Sequence, residues 1–496
     1  MANNIAMEDQ KGGIPSSKVA AREIVIPAVE GESLVYVDKK SEAWMMMKFD
    51  IFAVGLMGCF YMTSNLDRSN LGNANTGGMP QDLKLVGNQF GTASSLFWVT
   101  YVPFEFPVAI LLKAVGPRYL LTFCAFAWGV STLCTAFVQN AGGLYACRML
   151  VGAFEAGLIP CINIYIGGLY KRSERGKRSS IIYAFSALAS AFGGLLAYGL
   201  LSIKGTHFAG WRWLFVVEGL MTLLLVPLFF FCFPNKPLEA WFLTPEEKAM
   251  MKVRYENNPH WGIDDEFSWT EIMKAVKDPK WYLFWVYQFS IDCSVSGFTT
   301  FLPNILKGLG NTTVHSNLLT VPVYMWGLVW FLLVAYMSDR TAKRGPWIIL
   351  SVLCLVIGYA IFIGVESDAV RYFACFIVIM GIYPTPALNI MWINDNVANY
   401  YKRASMVGLT LTFGNTGGVA SGQFYTTATA PRYIPGISIC MSLAALAVIM
   451  VLCNMTGMHI VNKRRERRIR EAQDSGVPLE DEPEKGDYNV FFKYHL

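Results

Sequence analysis

The chain has 496 residues, of which 54% are hydrophobic and 16% are charged, and its formal net charge is +5. Soluble domains carry about 25% charged residues, so this composition excludes an ordinary soluble protein, and the modest net charge argues against a nucleic-acid partner. The shortage of charge extends over most of the chain, which indicates a polytopic membrane protein rather than a soluble protein with one anchor.

Residues 1–45 are polar and lack the apolar core of a signal peptide, so we predict a disordered cytoplasmic tail. Twelve apolar segments follow, each close to the roughly 20 residues that cross a bilayer. They form a first six-helix bundle over 46–233 and a second over 281–458, before a cytoplasmic tail at 459–496. The predicted spans lie near residues 50–72, 90–112, 118–138, 143–168, 179–202, 213–233, 281–306, 318–338, 346–365, 371–393, 404–425 and 434–457.

The first span contains two adjacent charges, Asp67 and Arg68. A charge at the centre of a lipid-facing helix costs at least about 2.5–3.5 kcal/mol, so each needs a partner or a polar cavity. Adjacent helical residues point about 100° apart, so the two should have different partners. We interpret Arg68, with Asn70, as a contact for a substrate anion, because a guanidinium binds a carboxylate in bidentate fashion. The alternative is that both charges fasten this helix to its neighbours, and Asp67 is also a candidate proton site.

Acidic residues inside later spans of the first bundle are further candidates for proton binding. Glu105 in the second span is either structural or protonatable. Arg148 and Glu155 in the fourth span share one helix face, with Gly152 between them to admit a neighbouring helix. A carboxylate in a low-dielectric cavity can exchange a proton near neutral pH, so we predict Glu155 as the coupling site and Arg148 as a gating residue. A buried Arg148–Glu155 lock is the alternative, and Glu218 is expected in an interfacial salt bridge.

The polar segment 234–280 separates the bundles. Thr244 and Glu247 have the spacing of a helix-capping box, so we expect short amphipathic helices along the membrane surface. Basic residues concentrate in alternate loops, which places this segment and both termini in the cytoplasm. Asn311, in the sequon Asn-Thr-Thr, then falls outside, where it is either glycosylated or unused.

Polar residues also interrupt the spans of the second bundle. Asp292 has Gln288 one turn before it, and we expect this stripe to contact substrate or a proton. Asn389, Trp392 and Asn396 recur on one face of the tenth span. An amide and an aromatic ring suit a planar heterocyclic acid, so we assign Asn389 and Trp392 to substrate binding. The alternative is a polar seam with its Trp at the lipid headgroups.

The loop after the eighth span contains Asp339, Arg340 and Arg344, which can pair across helix ends as gating or structural charges. A shorter basic turn follows the second span, so the two halves are related. Two parallel six-helix repeats with a site at their interface are a known transporter architecture.

The loop "SDRTAKRG" resembles the cytoplasmic loop signature of the major facilitator superfamily. Five further motifs resemble the fungal anion:cation symporters, the allantoate permease-like family within it. They are "LDRSNLGNA" (66–74), "RMLVGAFEAGLIP" (148–160), "GWRWLFVVEG" (210–219), "WINDNVANYYKRA" (392–404) and "APRYIPG" (430–436). The resemblance implies an all-α membrane protein of twelve helices in two pseudo-symmetric bundles. It also adds weight to Arg68, because related organic-anion carriers have a substrate-directed arginine in this helix.

The sequence contains no phosphate-binding GxxxxGK[ST] loop, no potassium-filter motif and no HExxH or GxSxG motif. We therefore predict a secondary transporter rather than an enzyme, without cofactor or metal. The resemblance implies proton-coupled uptake of a small organic anion such as nicotinate, pantothenate, biotin or allantoate. We expect a monomer in the plasma membrane. An exporter of an organic acid or secondary metabolite and a non-transporting sensor remain the alternatives.

Overall fold

The computed structural model describes residues 39–170, 172–203, 208–256, 269–398, 400–430, 432–475, 479 and 481–496. Within these residues every regular element is a helix. Residues 1–38, most of the predicted disordered tail, lie outside the described residues. The first helix already begins at Lys39, inside the range assigned to that tail.

The described helices cross the membrane region twelve times, six times in each bundle. The helices of the first bundle are α1 (Lys39–Phe49), α2 (Gly55–Thr76), α3 (Met79–Asp82), α4 (Gln89–Val115), α5 (Pro117–Thr135), α6 (Ala141–Glu155), α7 (Leu158–Leu169), α8 (Arg172–Leu200) and α9 (Gly210–Cys232). The helices of the connecting segment are α10 (Pro245–Glu256) and α11 (Trp269–Lys277). The helices of the second bundle are α12 (Pro279–Gly308), α13 (Thr313–Thr341), α14 (Gly345–Gly364), α15 (Asp368–Ile382), α16 (Pro384–Asn396), α17 (Tyr400–Ser421) and α18 (Ile434–Ser475).

Most of these crossings are evident from hydropathy alone. Nine of the described segments are long and apolar enough to span a membrane. Three of the described crossings, α5, α12 and α17, fall short of that criterion. In α12 and α17 the cause is polar residues such as Asp292 and Asn415, which line a central cavity. A π-helical turn, Asp50–Val54, joins α1 and α2 into one long crossing. The α18 helix extends well past residue 457, where the last span was predicted to end.

The fourth and tenth crossings are broken near the middle, at equivalent places in the two halves. In the fourth, α6 ends at Glu155 and α7 begins at Leu158, with Pro160 in its first turn. In the tenth, α15 ends at Ile382 and α16 begins with Pro384. Proline lacks the N–H of a continuous helix, and a broken helix at membrane depth is tolerated where it faces a cavity. The break therefore leaves Glu155 as the last residue of a half-helix, inside the bundle.

The bundles are joined at the end of the molecule that lies opposite the described chain ends, which we call the far end. There Asn317 donates a hydrogen bond to the Thr76 hydroxyl at 3.1 Å, and Asn88 donates to Gln423 at 2.7 Å. A Cβ on Gly72 would lie 2.1 Å from a backbone carbonyl of α12, so the two helices touch through their backbones. Small residues permit such an approach. These contacts hold the two bundles together at the far end.

The opposite end, which we call the termini end, holds the connecting segment. The predicted capping box is present at α10, where the Thr244 N–H donates to Glu247 at 2.9 Å and the Glu247 N–H donates to the Thr244 hydroxyl at 3.3 Å. Lys48 adds an ion pair to Glu247 at 2.8 Å. Burial acts to raise the pKa of Glu247, but Lys48 and the capping bonds hold it below its usual value. This pair fixes α10 against the first crossing.

Candidate substrate and proton site

A cavity of about 200 Å³ lies between the two bundles. The side chains that line it come from α2, α4, α6, α7 and α8 on one side and mainly from α12, α16 and α17 on the other. Four of the residues predicted from the sequence are among them, namely Arg68, Glu105, Arg148 and Asp292. The cavity is therefore where the sequence-derived site comes together.

Arg68 is held by Glu155 across the first bundle. Its Nε atom donates a hydrogen bond to Glu155 Oε1 at 2.6 Å, and its Nη2 atom lies within ion-pair distance of the same oxygen, also at 2.6 Å. Ser64 donates a second hydrogen bond to this oxygen at 2.6 Å. The Glu155 side chain is fully buried, whereas the Arg68 side chain is 24% exposed. Within the described part of the chain, Glu155 Oε2 has no hydrogen-bond partner. The pair thus presents a cation towards the cavity and keeps one buried carboxylate oxygen unoccupied.

Three aromatic rings of α4 surround the Arg68 guanidinium. The centroids of the Phe97, Trp98 and Tyr101 rings lie 5.4, 5.1 and 5.1 Å from its Cζ atom. Cation–π contacts of this kind contribute about 0.5–2 kcal/mol when desolvated. The sequence analysis missed these rings, although their spacing in "FWVTY" places them on one side of a helix. We call these three rings, Phe97, Trp98 and Tyr101, the aromatic enclosure of Arg68.

Glycines bring α4 close to the broken fourth crossing. A Cβ on Gly152 would lie 2.2 Å from the Phe97 carbonyl oxygen, and one on Gly157 would lie 1.9 Å from Val108. Gly152 was predicted to admit a neighbouring helix, and the structure confirms this. The close approach positions the aromatic enclosure above the Arg68–Glu155 pair.

Asp67 faces a different direction from Arg68, as the helical geometry predicts. Thr132 of α5 donates to its Oδ2 atom at 3.1 Å. Arg148 donates to the Asp67 backbone carbonyl at 3.3 Å, and Glu218 lies beside both residues. One alternative and one expectation from the sequence are wrong here. Glu155 pairs with Arg68 rather than with Arg148 in the described structure, and Glu218 is 1% exposed instead of interfacial, because eight residues of α9 precede it.

The first bundle therefore buries an unequal number of acids and bases. The cluster around the Arg68–Glu155 pair contains the acids Asp67, Glu155 and Glu218 and the bases Arg68 and Arg148, and Glu105 is a further buried acid, on the cavity wall. Three negative and two positive charges leave a net charge of −1 if all five groups are ionised. A net charge in a low-dielectric interior is costly, and a bound proton on one acid removes it.

The polar residues of the second bundle form a chain of amides instead. Asn389 donates to Gln288 Oε1 at 2.8 Å, and Gln288 Nε2 donates to both Asp292 oxygens at 3.0 Å. Asp292 lines the cavity, whereas Asn389 lies behind Gln288 and not on the cavity wall. The predicted polar stripe thus faces the cavity, with Asn389 supporting it from behind.

Glu105 joins the two bundles at the level of the cavity. Asn415 of α17 donates to its Oε2 atom at 3.2 Å, and the Glu105 residue is 3% exposed. This contact fits the structural alternative for Glu105, and it leaves the residue on the cavity wall.

Two further residues predicted for substrate binding lie outside the cavity. Asn70 is fully buried on the side of α2 that faces Glu218. Trp392 is 1% exposed, and its indole N–H donates to the backbone carbonyl of His495 at 2.8 Å. The helix period correctly placed Trp392 and Asn396 on one face, but that face meets the returning end of the described chain rather than the cavity.

The charged loop between α13 and α14 forms the ion pairs expected from the sequence. Arg344 lies 2.5 Å from Asp339 and 3.1 Å from Asp395 at the end of α16. Arg340 is exposed.

Asn311 lies in the loop between α12 and α13 at the far end, where its side chain donates to a backbone carbonyl at 3.0 Å. Its glycosylation stays a prediction.

Comparisons with known proteins agree with this architecture. A family model described as the Major Facilitator Superfamily matches residues 57–422. An uncharacterised transporter of Schizosaccharomyces pombe is 37% identical over 93% of this chain and 91% of its own length. The high-affinity nicotinic acid transporter of Saccharomyces cerevisiae is 35% identical over 97% of this chain and 90% of its own length. The crystal structure of a D-xylose–proton symporter covers 82% of this chain and 97% of its own, with a TM-score of 0.64 and 15% identity, which is a likeness of fold.

Proposed function

This chain belongs to the major facilitator superfamily of membrane transporters, and on that premise we propose that it is a proton-coupled symporter of a small organic anion. The observation that carries the proposal is the pairing of Arg68 with Glu155 beneath an aromatic enclosure in the central cavity. This arrangement gives one cation two competing partners, the protein's own carboxylate and that of a substrate.

The competition between these carboxylates supplies a coupling mechanism. While Glu155 is ionised it occupies the Arg68 guanidinium through Oε1. A proton that binds to Glu155, for example at the unoccupied Oε2 atom, removes the negative charge and frees Arg68 for the substrate. Breaking a buried ion pair without replacement costs about 3–5 kcal/mol, so proton and anion bind most favourably together. Joint binding of a proton and an anion is the requirement for symport.

The unequal charge of the first bundle supports the same proposal. Asp67, Arg148 and Glu218 lie close to the Arg68–Glu155 pair and contribute two acids and one base. The resulting excess of one carboxylate gives the interior a place for one proton. We propose Glu155 as the coupling site because it is the acid that directly contacts Arg68, with Asp67 as a second acid of the same cluster.

The substrate that fits this site is a small planar carboxylate. Its carboxylate would pair with Arg68, and its ring would pack among Phe97, Trp98 and Tyr101. Gln288 and Asp292 would form the opposite wall from the second bundle. The similarity to a nicotinic acid transporter makes nicotinate the first compound to test. Pantothenate, biotin and allantoate follow as carboxylates or related anions of other shapes.

Transport would proceed by rocking of the two bundles about the cavity. The contacts that join the bundles at the far end support a conformation in which substrate leaves towards the termini end. The excess of basic residues in the loops at that end supports a cytoplasmic location for it. We propose that the protein acts as a monomer in the plasma membrane, where uptake of an external nutrient takes place.

The test is uptake of labelled nicotinate by a fungal strain that lacks its own nicotinate carrier. We expect accumulation that increases as the external pH falls and collapses with a protonophore, because the proton gradient drives the cycle. Parallel cells that express Arg68→Ala at equal surface level provide the control for background uptake.

The same cells distinguish the other functions. Absence of uptake for all four anions, with the protein at the cell surface, would exclude the proposed substrate class. Faster loss of preloaded label than in control cells would indicate an exporter. Neither uptake nor efflux, together with an altered transcriptional response to nicotinate, would indicate a sensor.

A further inference from the structure

The last residues of the chain return to the termini end of the second bundle. We call residues 487–496 the tail segment. They lie across the ends of α12, α14, α16 and α17 and along α18, and contacts from all five helices hold them. The face of α16 that carries Trp392 and Asn396 contacts the tail segment and has no part in the proposed transport site. Its contacts therefore need a separate explanation.

Two asparagine side chains bind the backbone of the tail segment. Asn462 of α18 donates to the Tyr494 carbonyl at 2.9 Å and accepts from the Tyr494 N–H at 3.0 Å. Asn396 of α16 does the same for His495, at 3.0 and 2.8 Å. Successive residues of an extended chain direct their backbone groups to opposite sides. The tail segment is therefore gripped from both sides, as a strand is between two neighbours.

Further contacts extend this grip to other helices. Trp392 donates to the His495 carbonyl at 2.8 Å, and the Arg344 N–H, just before α14, donates to the Leu496 carbonyl oxygen at 2.9 Å. Arg465 of α18 donates to the carbonyl of Phe492 at 2.6 Å. Most of these bonds go to the backbone of residues 492–496, so they recognise this stretch whatever its side chains.

A charge on the tail segment completes a buried cluster. Asp487 lies 2.5 Å from Lys280 and 2.9 Å from Lys402, and Lys402 also lies 2.6 Å from Asp278. The side chains of Lys402, Asp278 and Asp487 are all at most 2% exposed. Without Asp487 the cluster would keep two ammonium groups and one carboxylate, which is an uncompensated buried charge.

The pKa of Asp487 agrees with an ionised carboxylate paired with the two lysines. Burial acts to raise its pKa, but Lys280 and Lys402 hold it below its usual value. The Tyr494 hydroxyl donates to the Asp487 carbonyl at 2.8 Å and receives a bond from Lys280 at 2.9 Å, so the two ends of the tail segment are tied to the same cluster. The groove thus supplies positive charge at one end and backbone recognition at the other.

We propose that the termini end of the second bundle is a peptide-binding groove whose ligand is the tail segment, and that the docked segment holds the ends of α12, α14, α16, α17 and α18 together as one rigid unit. The transport cycle requires the second bundle to move as a body, and the groove lies where loops alone would otherwise connect these helices. The tail segment is a clasp within one bundle, since the bonds described above all join it to the second bundle.

Hydrogen exchange of the full-length protein in nanodiscs tests this proposal. We expect the Tyr494 and His495 amides to be protected in the unmodified chain. The double variant Asn396→Leu, Asn462→Leu keeps the approximate side-chain size but removes the oxygens that accept from the Tyr494 and His495 N–H groups, so exchange of these amides should be at least about tenfold faster. Amides at the end of α16 and the start of α17 should also exchange faster, because the clasp is released.

Lys493→Gln serves as the matched control. Its side chain is on the same segment but exposed, with an exposed partner in Glu466. It should exchange as the unmodified protein does. Rapid exchange of Tyr494 and His495 in the unmodified chain, or exchange in the double variant equal to that in Lys493→Gln, would overturn the proposal. Faster exchange of the tail segment without any change in α16 and α17 would exclude the role as a clasp.

A peptide measurement covers the case in which the double variant does not fold. A labelled peptide with the sequence of residues 487–496 should bind to a chain shortened after residue 486 and not to the full-length chain, whose groove is occupied. The same peptide with Lys in place of Asp487 should bind the shortened chain at least about tenfold more weakly. Equal binding of the first peptide to both chains, equal binding of both peptides, or no binding to a monodisperse shortened chain would each contradict the proposal.

Discussion

The two bundles have the same backbone plan but different chemistry at the cavity. Each contains a crossing that is broken at membrane depth, at Glu155 in the first and before Pro384 in the second. The first bundle places five ionisable groups around its break. The second presents Asp292, whose oxygens receive bonds from an amide, Gln288, and Asn389 behind it. Two repeats with the same fold can therefore carry different chemical groups at the cavity and have different functions.

This difference suggests a division of roles between the bundles. A proton can be exchanged where a carboxylate and a substrate compete for the same cation, and Arg68 with Glu155 provides that arrangement. An amide chain holds a fixed pattern of donors and acceptors, which suits a wall that selects substrate shape. We propose that the first bundle couples and binds the anion, and that the second contributes selectivity.

Replacing Arg68 should give the largest effect. Arg68→Ala removes the anion contact and leaves Glu155 buried without its cation, so uptake should fall by at least about a hundredfold. Arg68→Lys keeps the charge but loses the bidentate geometry, and an intermediate loss of about tenfold is expected. Initial rates of labelled nicotinate uptake, normalised to surface protein, measure both. Normal apparent affinity in Arg68→Ala would show that the first bundle does not bind the anion.

The packing of the first bundle gives the next largest effect. A Cβ at Gly152 would lie 2.2 Å from the Phe97 carbonyl, so Gly152→Ala must separate α4 from α6 and loosen the aromatic enclosure. A cost of about 1–3 kcal/mol is expected, visible as a lower thermal unfolding temperature and weaker uptake. Gly167→Ala is the control, because nothing lies within 4 Å of its added Cβ. Equal unfolding temperatures for the two variants would contradict the close packing.

Replacing Asp292 should give the smallest effect. Asp292→Asn keeps the size of the side chain and removes one negative charge from the cavity wall, so a substrate anion should bind better by about 1 kcal/mol, or about fivefold in KM. Dependence of uptake on external pH should stay as in the unmodified protein. Loss of pH-dependent accumulation in this variant would move coupling into the second bundle and break the division of roles.

Features that depend on local pattern could be predicted from the sequence. Runs of apolar residues gave the crossings, the 100° spacing separated the partners of Asp67 and Arg68, and Gly152 marked a close approach. The capping box at Thr244 was also correct, because its hydrogen bonds are made within four residues of chain.

Features that depend on distant contacts could not be predicted. The only partner that the sequence offered for Glu155 was Arg148 on its own helix, in the alternative of a buried lock. Its partner in the structure, Arg68, comes from α2, and only the packing of two helices brings them together. Trp392 was assigned to the cavity because an aromatic ring suits a planar acid. Nothing in the sequence indicates that residues about a hundred positions later return to cover it. Long-range pairing of this kind leaves no periodic signal in the sequence.

The central claim is that Glu155 couples the proton to the anion, and proton flux in proteoliposomes tests it directly. The unmodified protein should take up protons together with labelled nicotinate and accumulate the anion in response to a pH gradient. Glu155→Gln still offers Arg68 an acceptor oxygen but cannot take up a proton, so it should exchange nicotinate across the membrane with neither proton uptake nor accumulation. Proton uptake and accumulation in Glu155→Gln equal to those of the unmodified protein would contradict the account.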